Sequence, residues 1–263
     1  MWDSFEIFAL ISFTSWIVAA FFCIYNSKTS IIVRDISMLI GIISISIFIT
    51  ILWIKLERPP LRTLGETRLW YSFFNSVIGF AVYKRWNYRL FLLYAINMSI
   101  LFLVINYVKP EIHNKALMPA LQSNWFAPHV IVYMASYAFI GFSSIIGGIG
   151  LWQLYKEKDT STILKISENI VHIGFGFLSM GLIFGALWAK EAWGHYWTWD
   201  PKETWAFITW GTYLIFIHIR INKPNQIKLQ LQYLTFAFII LLICWFGINY
   251  LPAAQNSVHV YAN

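Results

Sequence analysis

Runs of about 20 mostly apolar residues, the length an α-helix needs to cross a bilayer, recur along this chain almost from end to end. They lie at 5–25, 36–54, 69–83, 89–107, 129–154, 170–189, 204–221 and 231–251. Within each run the apolar residues are continuous rather than alternating. That argues against a membrane β-barrel and predicts an all-α, polytopic protein with about eight transmembrane helices. The composition agrees: 59% of the 263 residues are hydrophobic and 12% are charged, whereas a soluble domain carries roughly 25% charged residues. The third run is the shortest and contains Asn75 and Ser76. No soluble domain fits between the runs, so residues 1–263 read as one integral membrane domain in the lipid bilayer. The first run has no A-x-A-like site after it; Tyr25, Asn26 and Ser27 follow instead, which predicts a retained helix rather than a cleaved signal.

Charge supplies the orientation. The net charge of +7 is spread over short loops, with no basic block of the kind that binds nucleic acid. One loop, 26–35, carries Lys28 and Arg34; the next of its parity carries Lys84, Arg85 and Arg89; then come Lys156, Lys158 and Lys165; then Arg220, Lys223 and Lys228. With eight helices these four loops share one side, the cytoplasmic or stromal one by the positive-inside rule. Both termini, the loop 109–128, a tryptophan-rich stretch and the tail after Leu251 then lie outside. The loop 55–68 runs against the rule, because Lys55, Arg58, Arg62 and Arg68 fall outside with only Glu57 and Glu66 to offset them. Either that loop has a role that needs cations, which we favour, or the third span is miscounted.

The stretch 186–210 reads A-L-W-A-K-E-A-W-G-H-Y-W-T-W-D-P-K-E-T-W-A-F-I-T-W and holds six of the chain's 14 tryptophans. An aromatic belt at a membrane interface accounts for some of them, but not for W-x-W-D-P-K-E-T-W. The density of Trp193, Trp197, Trp199 and Trp205 beside Lys190 and Lys202 suits a flat, aromatic, partly anionic ligand. Its core, 190–203, is expected to be an external tryptophan-rich loop. Asp200-Pro201-Lys202-Glu203 reads as a helix start, with Asp at the N-cap, Pro at N1 and Glu at N3. The two cysteines, Cys23 and Cys244, sit in apolar runs, and no C-x-x-C or C-x-x-C-H occurs, so the chain carries neither a thiol redox motif nor its own attachment site for a c-type haem.

A histidine in or beside a spanning helix is costly enough to suggest function. His129 alone reads as an interfacial helix-start residue behind Pro128, and His259 alone as a solvated tail residue. Their coincidence on the outer side with the tryptophan stretch points further, because two neutral imidazoles can ligate a haem iron from opposite faces. His172 and His218 fall near the inner face, as a second pair or as partners of a histidine from another subunit. His113 and His195 are weaker candidates on the outer side.

The run W-A-K-E-A-W-G-H-Y-W-T-W-D-P-K-E-T-W-A-F-I-T-W resembles the WWD signature of CcsA (ResC), the cytochrome c biogenesis family of plastids and many bacteria. Leu121-Gln122-Ser123-Asn124-Trp125 followed by Pro128-His129 resembles the segment before that family's first external histidine. CcmC and CcmF proteins also carry tryptophan-rich signatures, but D-P-K-E-T-W points to CcsA. The resemblance implies that His129 and His259 hold haem b at the outer surface as axial ligands. It implies that Trp193, Trp197, Trp199, Asp200 and Trp205 belong to the haem-binding surface, and that His218, in F-I-H-I-R, is the family's histidine within the membrane. The tail N-S-V-H-V-Y-A-N departs from the family's L-H-S-Y-G while keeping His259 and the aromatic Tyr261. His195 occupies a variable position, and His172 has no counterpart. The partner implied is a CcsB-type (ResB) membrane protein, and the substrate is an apocytochrome c with a C-x-x-C-H motif. The implied function is presentation of haem for covalent attachment, as a subunit of a cytochrome c synthase in a thylakoid or, alternatively, a bacterial inner membrane. Three other functions remain at this point: a structural assembly factor that binds no haem, a CcmC-like carrier that hands haem to a chaperone, and an electron-transfer cytochrome subunit. The last usually needs histidine pairs within helices, and the fourth and eighth runs have none.

Overall fold

The computed structural model describes residues 2–113, 123–245 and 247–250. His259, Tyr261, Leu121 and Gln122, all singled out above, lie outside the described residues, as does the end of the eighth run. The described residues form eight α-helices and no strand: α1 Phe5–Phe22, α2 Lys28–Leu56, α3 Leu64–Trp86, α4 Arg89–Val108, α5 Phe126–Tyr155, α6 Ser161–Trp193, α7 Pro201–Asn222 and α8 Ile227–Trp245. Six of them, α1, α2, α4, α5, α6 and α8, are long and apolar enough to cross a bilayer, and the chain is an integral membrane protein. The helices group into two compact units, α1–α4 and α5–α8. Cys23, at the end of α1, and Cys244, in α8, are free thiols.

Helices α2, α3 and α7 run past the apolar stretches that announce them, and each starts at a capping side chain. Ser27 caps α2, its hydroxyl accepting from the Ser30 amide at 3.0 Å. Arg34 and Asp35, expected in a loop, therefore lie inside the helix. There Arg34 is buried over the Tyr83 ring at 4.4 Å, and Asp35 pairs with Lys84 at 2.9 Å. Thr63 and Glu66 form a capping box that starts α3. Glu66, 2% exposed, also takes both guanidinium nitrogens of Arg58 at 3.0 Å and the Arg62 amide at 2.5 Å. The third helix is thus present, and the basic loop before it spends one cation on a buried carboxylate. Lys55 sits in the last turn of α2, where a helix end carries partial negative charge.

Some polar residues in the first unit bond between helices. Ser72 and Ser99 exchange reciprocal hydroxyl-to-carbonyl hydrogen bonds at 2.9 Å, while Asn75 and Ser76 on the same buried face donate to the Tyr71 and Phe73 carbonyls of their own helix. Trp16 of α1 is fully buried against Gly41 of α2, where a Cβ would come within 2.2 Å of the indole nitrogen. His113, in the 3-10 turn Pro110–His113, stacks on Trp2 with 3.7 Å between ring centroids. Burial holds its pKa below the ordinary imidazole value, which keeps it neutral.

In the second unit α5 packs on both α6 and α8. Glycines permit the approach. A Cβ at Gly147 of α5 would lie 2.6 Å from the Thr235 hydroxyl of α8, and one at Gly174 of α6 would lie 3.1 Å from Ile140 and Phe139. Ser136 donates to the Gly174 carbonyl at 2.8 Å. Close contact through small residues, with hydroxyls bonding across it, is the usual way helices associate in lipid.

Candidate functional site

The first turn of α5 and the last turns of α6 meet at one end of the second unit. His129 enters there behind Pro128, and its Nδ1 lies 2.8 Å from the Gly181 carbonyl oxygen. A carbonyl only accepts, so Nδ1 carries the proton, and the neutral ring has its lone pair on Nε2. The ring stands edge-on to Tyr133, with centroids 4.6 Å apart, and tilts against Trp188 at 5.5 Å. Trp188 is buried and touches Phe126 at 5.4 Å and Trp193 at 4.9 Å. An aromatic wall therefore leads from His129 through Trp188 to Trp193. The residues before α5 are tied to the same place: the Ser123 hydroxyl donates to the Glu191 carboxylate, and Trp125 stacks on Phe184.

The stretch 190–203 is partly helical. Lys190–Trp193 are the last residues of α6, Pro201 opens α7, and the connection proper is 194–200. Gly194 ends α6 in the left-handed conformation, φ 83°, with the Lys190 ammonium donating to its carbonyl at 2.8 Å. The expected cap is present in full. Asp200 accepts from the Lys202 amide at 2.8 Å, and Glu203 Oε2 accepts from the amides of Thr198 at 2.7 Å and Asp200 at 3.2 Å. These two amides flank Trp199, which has φ 60° and is 63% exposed. A left-handed backbone is strained for a bulky residue, at roughly 1–3 kcal/mol. Glu203 holds the residue on either side through its amide, so the conformation is fixed in place and the indole stays exposed.

Trp199 meets Trp197 edge-on at 5.7 Å and Phe207 at 5.8 Å, and Phe207 stacks on Trp210 at 5.7 Å. A second aromatic path thus runs from the connection down α7, anchored where the Trp210 indole donates to Ser179 of α6 at 2.9 Å. Trp205 is half-buried in the first turns of α7. The Trp197 indole nitrogen is buried and has no acceptor among the described residues. His195 is exposed in the connection.

His172 and His218 occupy the other end of the unit. There Glu168 of α6 pairs with Arg220 of α7 at 3.2 Å. Each ring is fixed by its own helix, His172 Nδ1 to the Glu168 carbonyl at 2.7 Å and His218 Nδ1 to the Leu214 carbonyl at 2.9 Å. The same argument assigns Nδ1–H and an Nε2 lone pair to both in the neutral form. His218 lines an open cavity of about 390 Å³ with Leu214, Ile215, Ile219, Asn222 and Lys223. The structure thus brings His129 together with Trp188 and Trp193, and keeps His218 apart from them.

Sequence reasoning passed over Tyr133, Trp188, Gly181 and Gly185 as site residues. The glycine pair was open to detection, because G-x-x-x-G in an apolar helix marks a close-packed face. Nothing in the sequence says that His129 is what fills it.

The fold and this end define a polytopic α-helical membrane protein that presents a histidine and a tryptophan surface at one pole. The sequence pattern of the family described as cytochrome C assembly protein matches residues 1–254. The cytochrome c biogenesis protein CcsA of Prochlorococcus marinus (strain MED4) is 31% identical over 270 residues, covering 89% of this chain and 85% of that one. CcsA of Guillardia theta is 32% identical over 253 residues, covering 84% and 83%. CcsA of Pelargonium hortorum is 31% identical over 281 residues, covering 89% and 86%. Among solved structures, cytochrome c heme lyase CcmF aligns with a TM-score of 0.66 at 14% identity, over 95% of this chain and 48% of that longer one, a likeness of fold alone. This chain belongs to the cytochrome c assembly protein family, alongside the CcsA proteins, and its role lies in cytochrome c biogenesis.

Proposed function

We propose that the pole formed by α5, α6 and the connection 194–200 holds haem b at the lumenal or periplasmic face for attachment to apocytochrome c. The observation that carries this reading is the imidazole of His129, its Nδ1 held at the Gly181 carbonyl, at the head of an aromatic wall that reaches the tryptophan connection. His259 would hold the haem iron together with His129. Trp193, Trp197, Trp199 and Trp205 give the flat apolar surface, and Asp200 with Glu203 holds that surface in shape. The residues fit the group: the buried Trp197 N–H has a donor to give, and haem carries carboxylates.

Haem supplies an iron with two axial positions and vinyl groups that add the thiols of a C-x-x-C-H motif. This chain supplies ligation, orientation and access. His218 is the inner-side contact in this proposal, facing the apolar cavity on α7 and completed by a histidine from a CcsB-type partner. The four basic loops lie on the stromal or cytoplasmic side, and both termini lie outside. The plant and algal relatives support a thylakoid membrane, and the equally similar Prochlorococcus relative supports a bacterial one.

The test is purification together with the CcsB-type partner, followed by optical spectroscopy and an assay of cytochrome c maturation. His129→Ala and His259→Ala are each expected to abolish the bis-histidine spectrum and maturation. Two variants that both keep the spectrum and maturation would sink the external site. Co-purification with a haem chaperone in place of a CcsB-type protein would favour a carrier role.

A further inference from the structure

We infer that Gly181 and Gly185 of α6 are the positioning residues of His129, cutting a notch that fixes both the place of its ring and the nitrogen it offers. This rests on the reading of His129 as a haem ligand and adds what sets that ligand. The Gly181 carbonyl takes the Nδ1 proton at 2.8 Å. A carbonyl has two lone pairs, so it serves the α6 ladder and the imidazole together. Gly185, one turn on, leaves the ring its room. A Cβ there would lie 2.8 Å from Cε1 and 2.9 Å from Nδ1, closer than real Cβ contacts come.

Two aromatic side chains limit where the imidazole can move. Tyr133 stands across one side at 4.6 Å and Trp188 lies against another at 5.5 Å. Tyr133 is itself seated on the same helix, since a Cβ at Gly181 would come within 2.9 Å of its ring. The pair lies one helical turn apart, so one face of α6 holds the histidine and the wall behind it. Gly176, on the same helix, shows what an uncommitted glycine looks like: a Cβ there meets nothing within 4 Å.

A methyl group at 185 therefore turns the ring and breaks the Nδ1–H to carbonyl hydrogen bond. Partners of this kind orient a metal-ligating histidine and raise its basicity, and losing one typically costs about 10- to 100-fold in metal affinity. A less basic imidazole stabilises ferric iron less, so haem that stays bound shifts to a more positive midpoint potential.

The experiment uses the full chain purified with its partner and compares wild type, Gly185→Ala, Gly176→Ala and His129→Ala. Haem content, the optical spectrum and the midpoint potential are read with and without added imidazole. Gly185→Ala is expected to lose about 10-fold or more of its haem affinity, with the low-spin spectrum restored by imidazole as in His129→Ala. Gly176→Ala is expected to match wild type. Wild-type haem content, spectrum and potential in Gly185→Ala, while His129→Ala loses its spectrum, would overturn this inference alone. A loss in Gly185→Ala that imidazole fails to repair would also overturn it, marking a folding defect. An unchanged spectrum in His129→Ala would remove the ligand reading and the inference with it.

Discussion

At the scale of single residues, the carboxylate of Glu203 accomplishes more than its place in a helix cap suggests. It accepts from the amides of Thr198 and Asp200 and from the Thr198 hydroxyl at 3.3 Å. Between those anchors Trp199 is held in a conformation it would not choose. Glu203→Ala leaves the buried Asp200 amide and the part-buried Thr198 amide without this acceptor and is expected to cost about 2 kcal/mol. The checks are the thermal midpoint in detergent and protease susceptibility of the connection 194–200. Glu203→Gln keeps a carbonyl acceptor and is expected to lose less than half as much. Equal losses in the two variants would mean that the negative charge, rather than the hydrogen bonds, shapes the connection. D-P-K-E was legible in the sequence as a cap, whereas Trp199 as the residue it displays was not, since φ is decided by what both neighbouring peptides bond to.

At the scale of elements, the helices associate through small residues and hydroxyls. Trp16 in the groove at Gly41 makes the α1–α2 contact specific, with its indole nitrogen 3.4 Å from the Met38 carbonyl and Ser12 donating to the Gly41 carbonyl at 3.0 Å. Gly41→Ala drives a methyl into the indole. Its expected cost is about 1–3 kcal/mol despite the better helix propensity of alanine. Trp16→Phe in the same chain should recover part of the loss, and a double-mutant cycle on thermal stability measures the coupling. A strictly additive cycle would place the defect elsewhere. The basic loop 55–68 belongs to this scale too. Its excess of cations looked like a functional signal, and Arg58 turns out to be folded onto Glu66, a pairing eight residues apart that no periodicity announces.

At the scale of the whole molecule, α6 is 33 residues long and separates a basic connection from the tryptophan connection. In a chain freed of Cys23 and Cys244, Lys158→Cys and Tyr196→Cys should label from opposite sides with a membrane-impermeant maleimide. Tyr196→Cys is expected to react from the lumenal or periplasmic side. Labelling of both from one side would mean that α6 does not cross. The same measurement fixes the sidedness proposed from the Lys and Arg loops.

What the amino-acid sequence determined by itself is the all-α membrane class, the number of helices and the cap of α7. Each follows from local physics: apolar length against bilayer thickness, and side chains that bond amides within a few residues. It also marked His129 and the density of tryptophans in 186–210 as candidates for function. Only the tertiary structure decided that His129 docks on Gly181 and Gly185 of another helix, that Trp188 joins it to Trp193, and that His218 lies at the opposite end. Those relations depend on how two helices far apart in sequence pack face to face. In lipid that packing is set by the steric absence of side chains at a few glycines, and a G-x-x-x-G run marks such a face without saying which side chain fills it.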